Sequence, residues 1–407
     1  MELKAGYKNT EIGVIPEEWE VSKIEPLIDL LTGFPFPSNK YSKTGIRLLR
    51  GSNIKRGVTD WSEDITQFWS VATPEIKKYL LQENDIVIAM DGSLVGKSFA
   101  QLSKIDLPSL LLQRVARIRT EKVDINYLKE LICSKYFTEH CDKVKTSSAI
   151  PHISPKDIKD YKIPLPPTIE EQATIATVLS DTDSLIQTLE KKIAKKQLIK
   201  KGAMQKLLTP KEGWEVKTLG EIAEFYKGKG LPKSEILESG KRKCIHYGEL
   251  FTKYNEEIKE IISSTNTVNN CFYSKSNDVL MPTSDVTPNG LATASCINEN
   301  NVILGGDVLI IRVSSETLNG IFLSYFITMN REQVMQLVTG STVYHLYGSD
   351  MAKLKIKYPK IVEQTRIAQI LSQMDSEIET LGKKLTKYKQ LKQGLMQSLL
   401  TGKIRLV

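Results

Sequence analysis

The segment Gly92-Ser93-Leu94-Val95-Gly96-Lys97-Ser98 carries the residue types of a phosphate-cradling loop, in which glycines expose backbone N–H groups and a lysine reaches the outer phosphates. Its spacing excludes that chemistry. Such a loop needs four residues between its glycines and a helix after them. Here Ser93, Leu94 and Val95 alone intervene, and Phe99-Ala100-Gln101-Leu102 runs on toward Pro108 without room for a long helix. A basic hairpin suited to nucleic acid is the better reading. Glu75-Ile76-Lys77 and Glu257-Ile258-Lys259 match the acidic-x-Lys element of nucleases, but a chain with 56 Lys and Arg and 48 Asp and Glu produces such tripeptides by chance. Cys133, His140 and Cys141 offer metal-binding types without a fourth ligand, and they read as a buried helix face. The 5 cysteines are odd in number and contain no Cys-x-x-Cys pair, so neither a disulfide framework nor a zinc ribbon is indicated and core thiols are expected. No glycine-rich cofactor loop is present, and the chain is expected to perform no chemistry itself.

The elements that must position the remaining polar residues follow from length and pattern. A chain of 407 residues, 41% hydrophobic and 26% charged, is long enough for two or three packed domains. There is no run of 18 apolar residues, and Met1-Glu2-Leu3-Lys4 lacks the apolar stretch of a secretory signal, so a cytoplasmic location is expected. The net charge of +8 hints at a polyanionic partner without establishing one.

The sequence is written twice. Glu18-Trp19-Glu20-Val21 returns as Gly213-Trp214-Glu215-Val216, with Gly33, Pro37 and Gly45 recurring as Gly228, Pro232 and Gly240, all 195 positions on. Asn84-Asp85-Ile86-Val87 reappears as Asn277-Asp278-Val279-Leu280, and His152, Asp157, Ile163 and Pro166 as His345, Asp350, Ile356 and Pro359, at an offset of 193. Glu171-Gln172 through Leu207-Leu208-Thr209 matches Glu363-Gln364 through Leu399-Leu400-Thr401 without a gap. Ordered dipeptides at near-constant spacing mark an internal duplication. Residues 50 to 84 and 247 to 276 scarcely resemble each other, so each half keeps a scaffold and varies an insert.

Each half opens with β-rich runs such as Asp85–Met90, Arg114–Arg119 and Val308–Val313 between turn residues, with a helix expected over 126 to 137 and 320 to 330. Prolines at Pro164, Pro166, Pro167 and Pro359 then close each globular unit. From Glu170 to Leu208 and from Glu363 to Leu400 there is no proline, and apolar positions recur in steps of four and three. The first series is Ile175, Leu179, Thr182, Ile186, Leu189, Ile193, Lys196, Lys200, Ala203, Leu207. The second is Ile367, Leu371, Met374, Ile378, Leu381, Leu385, Tyr388, Lys392, Leu395, Leu399. This is the 3.5-residue period of helices wound around one another. Each helix, about 40 residues, would be roughly 60 Å long. Equal length and identical register favour antiparallel pairing of the two, with one head at each end of a rod, over each helix packing only on its own head. The lysines at 196, 200 and 392 make the seam imperfect, and are expected to loosen it or reach for solvent.

The Trp-Glu-Val start of each half, the proline followed by Glu-Gln and Ile-Ala at each long helix, and the Gly-x-Met-Gln-x-Leu-Leu-Thr close at 202 to 209 and 394 to 401 resemble the specificity subunit of type I restriction-modification systems. The second head departs from the first in having Glu-Gly-Trp-Glu for Glu-Glu-Trp-Glu, and its Thr283-Ser284-Asp285 turn lacks the Gly-Lys-Ser of the first. The resemblance implies an α+β fold: two similar α+β target-recognition domains separated by two long antiparallel coiled-coil helices, a pseudo-twofold internal repeat. The expected segments are target-recognition domain 1 over 1 to 165, a central spacer helix over 166 to 209, target-recognition domain 2 over 210 to 358 and a C-terminal spacer helix over 359 to 407. The implied function is non-catalytic, sequence-specific DNA binding: reading an asymmetric bipartite target and docking methyltransferase subunits. The implied partners are double-stranded DNA, two methyltransferase subunits and restriction/translocase subunits, with no membrane. No cofactor or metal is expected in this chain; S-adenosylmethionine, ATP and Mg belong to the partner subunits. The Asn- or Asp-Pro-Pro-aromatic motif of adenine methyltransferases is absent, since Thr168 follows Pro166-Pro167. A rival reading is a coiled-coil scaffold for protein interaction whose heads do not bind DNA.

Residues able to pair with base edges and phosphates are Arg, Lys, Asn, Gln, Ser and Thr in turns. The first head offers Arg47, Arg50, Ser52, Asn53, Lys55, Arg56, Lys97, Ser98, Thr146, Ser147, Ser148 and His152. The second offers Lys229, Lys241, Arg242, Lys243, His246, Tyr247, Thr283, Ser284, Ser341, Thr342, Tyr344 and His345. Helix pairing is assigned to Ile175, Leu179, Ile186, Leu189, Ile193, Leu207, Ile367, Leu371, Ile378, Leu381, Leu385 and Leu399. The basic stretch from Lys191 to Lys201 reads either as a solvated helix face or as a track facing the DNA backbone.

Overall fold

The computed structural model describes residues 5 to 267 and 269 to 406. The chain forms two compact units, Met1–Thr188 with Leu385–Val407, and Leu189–Lys384. Each long helix, Ile169–Leu208 and Ile361–Leu399, contributes to both units.

In the first unit a four-stranded antiparallel sheet runs in the order Asp29–Thr32, Val115–Arg119, Ile86–Ala89, Phe99–Gln101. A second sheet joins Ile46–Leu49 to Gln67–Trp69 antiparallel and to Ser109–Leu111 parallel. The second unit repeats this plan. Ala223–Lys227, Val308–Val313, Asp278–Pro282 and Ser295–Ile297 form the corresponding order, extended by Glu257–Ile258, and Arg242–Ile245 pairs parallel with Ile303–Leu304. The central strands are apolar on both faces because helices cover one side and the second sheet the other. Ile86, Val87 and Ile88 are fully buried, as are Val279, Leu280 and Met281.

The repeated sequence positions do repeated structural work. Asn84 and Asn277 both take positive φ, 71° and 77°, at the turn into these strands. A Cβ on Gly33 would lie 2.0 Å from the Leu112 carbonyl oxygen and one on Gly228 1.9 Å from that of Gly305, so only glycine permits this approach of backbone to backbone. Asp85 is clamped by the Arg119 guanidinium, with Nη2 2.8 Å from Oδ2, and Asp278 by Arg312 at 2.7 Å. In both units the same carboxylate oxygen also accepts the backbone N–H three residues earlier, Gln82 or Lys275, at 2.7 Å.

Both long helices start on a buried glutamine. Gln172 accepts from the Asp124 N–H at 2.9 Å and donates to the Pro166 carbonyl at 3.1 Å. Gln364 accepts from the Asn319 N–H at 2.8 Å and donates to the Thr317 and Pro359 carbonyls. Asp124 and Asn319 cap the helices Ile125–Ile132 and Gly320–Met329, so one amide ties each long helix to the helix of its own head. The repeat is imperfect beside it. Glu171 is buried against Trp19 Nε1 at 3.3 Å and Arg405 at 2.9 and 3.0 Å, whereas Glu363 meets the exposed Lys211 at 3.4 Å.

The apolar series of the long helices is their sheltered face: every one of its members is buried or half-buried. Within the first unit Ile175, Ala176 and Leu179 share a core with Leu395, Met396, Leu399 and Leu400. Within the second, Ile367, Ala368 and Leu371 share one with Ala203, Met204, Leu207 and Leu208. In each unit the two helices therefore pack antiparallel on one another, and both also pack on the head; each fully buried Leu or Ile contributes about 1.5–3 kcal/mol.

The lysines of that seam are not loose ends. Lys392 Nζ lies 2.6 Å from both Asp183 oxygens, and Lys200 Nζ lies 2.6 Å from Asp375 Oδ1 and 3.3 Å from Glu256. Lys196 meets Glu377 at 2.8 Å. Opposite charge on the facing helix, which a one-helix periodicity cannot reveal, holds these side chains in place where the sequence suggested a looser seam.

Candidate nucleic-acid interface

In the first head, the turns that cap the two sheets gather polar side chains around a cleft of about 430 Å³. Arg50, Ser52, Lys55, Ser93, Gln113 and Arg114 line it. The Gly92–Ser98 segment links the antiparallel strands Ile86–Ala89 and Phe99–Gln101 as a hairpin. Its Gly96 takes φ 77°, and a Cβ there would stand 2.6 Å from Cys141 Cβ, so this glycine serves contact with the helix Lys135–Val144 rather than a phosphate. Lys97 projects into solvent while Ser98 is buried.

The nominated side chains divide by their occupation. Arg47 donates to the carbonyls of Ile105 at 2.7 Å and Leu107 at 3.1 Å, and its guanidinium covers the Trp61 ring at 4.5 Å. Asn53 is fully buried, accepting from the Arg50 N–H and donating to the Asp60 carbonyl. Lys55 lies 3.6 Å from Asp60 and donates to the Ser52 carbonyl. Arg56 is exposed, as are Ser52, Thr146, Ser147 and Ser148; Arg50 and His152 are half-buried. Thr146 Oγ1 accepts the His152 N–H at 3.0 Å, which fixes that loop.

In the second head Lys229, Lys241, Arg242, Ser341 and Thr342 are exposed, and Lys243 is also exposed but meets Glu299 at 2.9 Å. His246 caps its own helical turn by accepting the Gly248 N–H, and burial lowers its pKa. The Tyr247 ring lies against His246 at a tilt of 42°, with ring centres 4.5 Å apart. Thr283 is buried against Asp307, while Ser284 pairs in register with His345, and Tyr344 is half-buried. Among the polar residues lining the first cleft, Asp91, Gln113 and Arg114 were missed by sequence reasoning. A positive φ of 65° at Arg114 is a feature of the fold that residue type does not announce.

Among the helix-pairing residues, Ile175, Leu179, Ile186, Leu189, Ile367, Leu371 and Leu399 are buried, whereas Ile193, Leu207, Ile378, Leu381 and Leu385 are half-buried. Lys191, Lys192, Lys195 and Lys201 are exposed.

Other chemistry finds little support in the geometry. All five cysteines are free, and burial pushes the Cys141 and Cys244 thiols up to about 12, away from nucleophilic use. Cys133 and Cys271 are only partly covered. His140 Nε2 faces the Asp157 carbonyl at 2.7 Å, and no cluster of three or more His, Cys, Asp or Glu suited to a metal occurs among the described residues.

Two stretches of the chain, residues 16–198 and 211–390, match the Type I restriction modification DNA specificity domain. The chain belongs to that family. It is a specificity subunit with two target-recognition domains, and the two matched stretches are the two copies of the duplication. The MjaVIII type I restriction enzyme specificity subunit of Methanocaldococcus jannaschii is 26% identical across 96% of this chain and 94% of its own length. A second protein of that organism, named for the MjaX specificity subunit, is 28% identical across 98% and 96%. The EcoAI specificity subunit of Escherichia coli is 36% identical over 44% of this chain and 30% of its own. The fold matches that of the S subunit of the M. genitalium type I restriction-modification system, with TM-score 0.64, 17% identity and 98% of each chain covered. No helix among the described residues is long and apolar enough to cross a membrane.

Proposed function

We propose that each head of this specificity subunit reads one half of a split, asymmetric DNA sequence, and that the chain performs no bond-making of its own. Methyltransferase subunits docked on it would bring S-adenosylmethionine, and restriction/translocase subunits would bring ATP and Mg. The observation that carries this reading is a repeated scaffold with unrepeated turns. The sheets, the Asp–Arg clamps and the glutamine anchors recur in both units, while the inserts over residues 50 to 84 and 247 to 276 do not resemble each other. Identical frames bearing unlike polar turns suit two unlike half-sites. A net charge of +8 agrees with a polyanionic partner.

A structural neighbour with TM-score 0.55, 16% identical, comes from work titled for complex assembly and conformational transition of the type I R-M system, which agrees with a role inside a larger assembly. The deciding experiment is co-expression with type I methyltransferase subunits and genome-wide mapping of methylated adenines. Two short defined blocks separated by an undefined gap are expected; a continuous motif overturns the reading.

A further inference from the structure

Arg114 and Asp307 occupy the same place in the two heads. Each lies in the turn that leads into the central strand of its sheet, Val115–Arg119 or Val308–Val313. Each has positive φ, 65° and 62°. Each carbonyl accepts at 2.9 Å from the backbone N–H of the residue that follows the neighbouring strand, Met90 for Arg114 and Thr283 for Asp307, and these donors are themselves 193 positions apart. Left-handed backbone is uncommon at arginine, whereas aspartate tolerates it, so Arg114 is the outlier of the two.

The two side chains carry opposite charge. Arg114 is 65% exposed and held by Asp91, with Nη1 2.9 Å from Oδ2, at the edge of the cleft that also contains Arg50 and Gln113. Asp307 is 47% exposed, 3.1 Å from Lys227 Nζ, and borders a cleft of about 430 Å³ with His345 and Tyr347. A residue that contacts the DNA backbone must be cationic or neutral, because phosphate repels a carboxylate. Base edges present both donors and acceptors, so they alone accommodate either sign at one scaffold position.

We propose that this turn position determines specificity in both heads: Arg114 reads guanine through O6 and N7 in one half-site, and Asp307 accepts from the N4 amino group of cytosine in the other. The inference rests on the DNA-reading role proposed above and names the chemistry of that site. Asp91 and Lys227 are positioning residues. They hold the fork and the carboxylate at the rim of each cleft.

The test is selection from a random double-stranded DNA library with the full chain, wild type beside R114K, R114N and D307N. Asparagine tolerates left-handed backbone, so the two Asn variants keep the fold, which thermal melting checks. In R114K and R114N, guanine preference at one position of one half-site should fall tenfold or more, with the other half-site unchanged. D307N should relax one cytosine in the other half-site only. Unaltered motifs in all three variants overturn the proposal while leaving DNA reading intact. A uniform loss of affinity in R114N that R114K restores makes Arg114 a phosphate contact and overturns it too. A wild-type chain that selects no motif overturns the DNA-reading role itself, and this inference with it.

Discussion

Lys392 holds both carboxylate oxygens of Asp183 at 2.6 Å, and Lys200 stands 2.6 Å from Asp375. Lys200 and Lys392 are 192 positions apart, as are Asp183 and Asp375, so a single antiparallel ion pair is used twice. Side-chain exposures of 16% and 14% for Lys200 and Asp375 keep the second pair largely out of water. Replacing one partner strands a charge where solvation is poor. Lys200→Met should therefore destabilise the second unit by about 1–3 kcal/mol, more than Lys195→Met, whose side chain is exposed. Urea denaturation of the two variants checks this.

The two buried glutamines make a matched pair of tests. Gln172→Ala strips the Asp124 N–H of its acceptor, and Gln364→Ala does the same to Asn319. Each should cost about 1–3 kcal/mol, the penalty of an unsatisfied buried donor. Amide exchange should quicken at the start of the helix Ile125–Ile132 in the first variant and of Gly320–Met329 in the second.

Gly96→Ala introduces a methyl 2.6 Å from Cys141 Cβ at a residue with φ 77°. Overlap with a buried neighbour and a disfavoured backbone act together, and a loss of about 1–3 kcal/mol is expected. Gly92→Ala, whose Cβ meets nothing within 4 Å, isolates the backbone cost alone. The difference between their unfolding midpoints measures the overlap.

Asp106 gives the first head an acid-sensitive point. Burial pushes its pKa up, but donation from Thr59, the Ser103 backbone, Trp61 and the Ser103 hydroxyl outweighs burial and leaves it below the ordinary value of 3.8. A depressed carboxylate binds its proton less readily folded than unfolded. Its stabilisation is fully present above 3.8 and is lost as pH falls through the lower folded value. Asp106→Asn should flatten the fall in melting temperature below pH 4 while lowering stability at pH 7; an unchanged acid slope would remove Asp106 from the cause.

For DNA, Arg50 lines the first cleft and Arg56, next in the chain after the cleft residue Lys55, is exposed; neither has an ion-pair partner among the described residues. Replacing both with Ala should weaken binding at moderate salt and lower the slope of log affinity against log salt by about 0.9 for each phosphate no longer neutralised. Fluorescence anisotropy across a salt series reads both quantities.

The duplication, the long helices and the sheet strands were legible in the sequence because they rest on spacing, and spacing survives without knowledge of partners. Gly33 and Gly228 recur since two backbones touch there, and the Glu-Gln pairs recur since one amide must satisfy the cap of a neighbouring helix. What the sequence hid were relations across space. Lys200 looked like a flaw in an apolar seam because Asp375 lies on another helix. Asn53 looked like a surface contact, yet its amide ties the Arg50 and Asp60 backbones together. Arg114 was passed over because strand pattern assigned it to a β-run, whereas the backbone turns left-handed at that residue.

Arg405 bonds Glu171 and Glu18, and the Tyr7 hydroxyl donates to the Gly402 carbonyl at 3.1 Å. The first unit thus borrows residues that come after the second in the chain. On the ribosome, the later half is contiguous and can mature as soon as Lys384 is free of the exit tunnel, whereas the earlier half must wait for residues 395 to 405. Translation order and folding order are thereby reversed: the part made first is the part finished last.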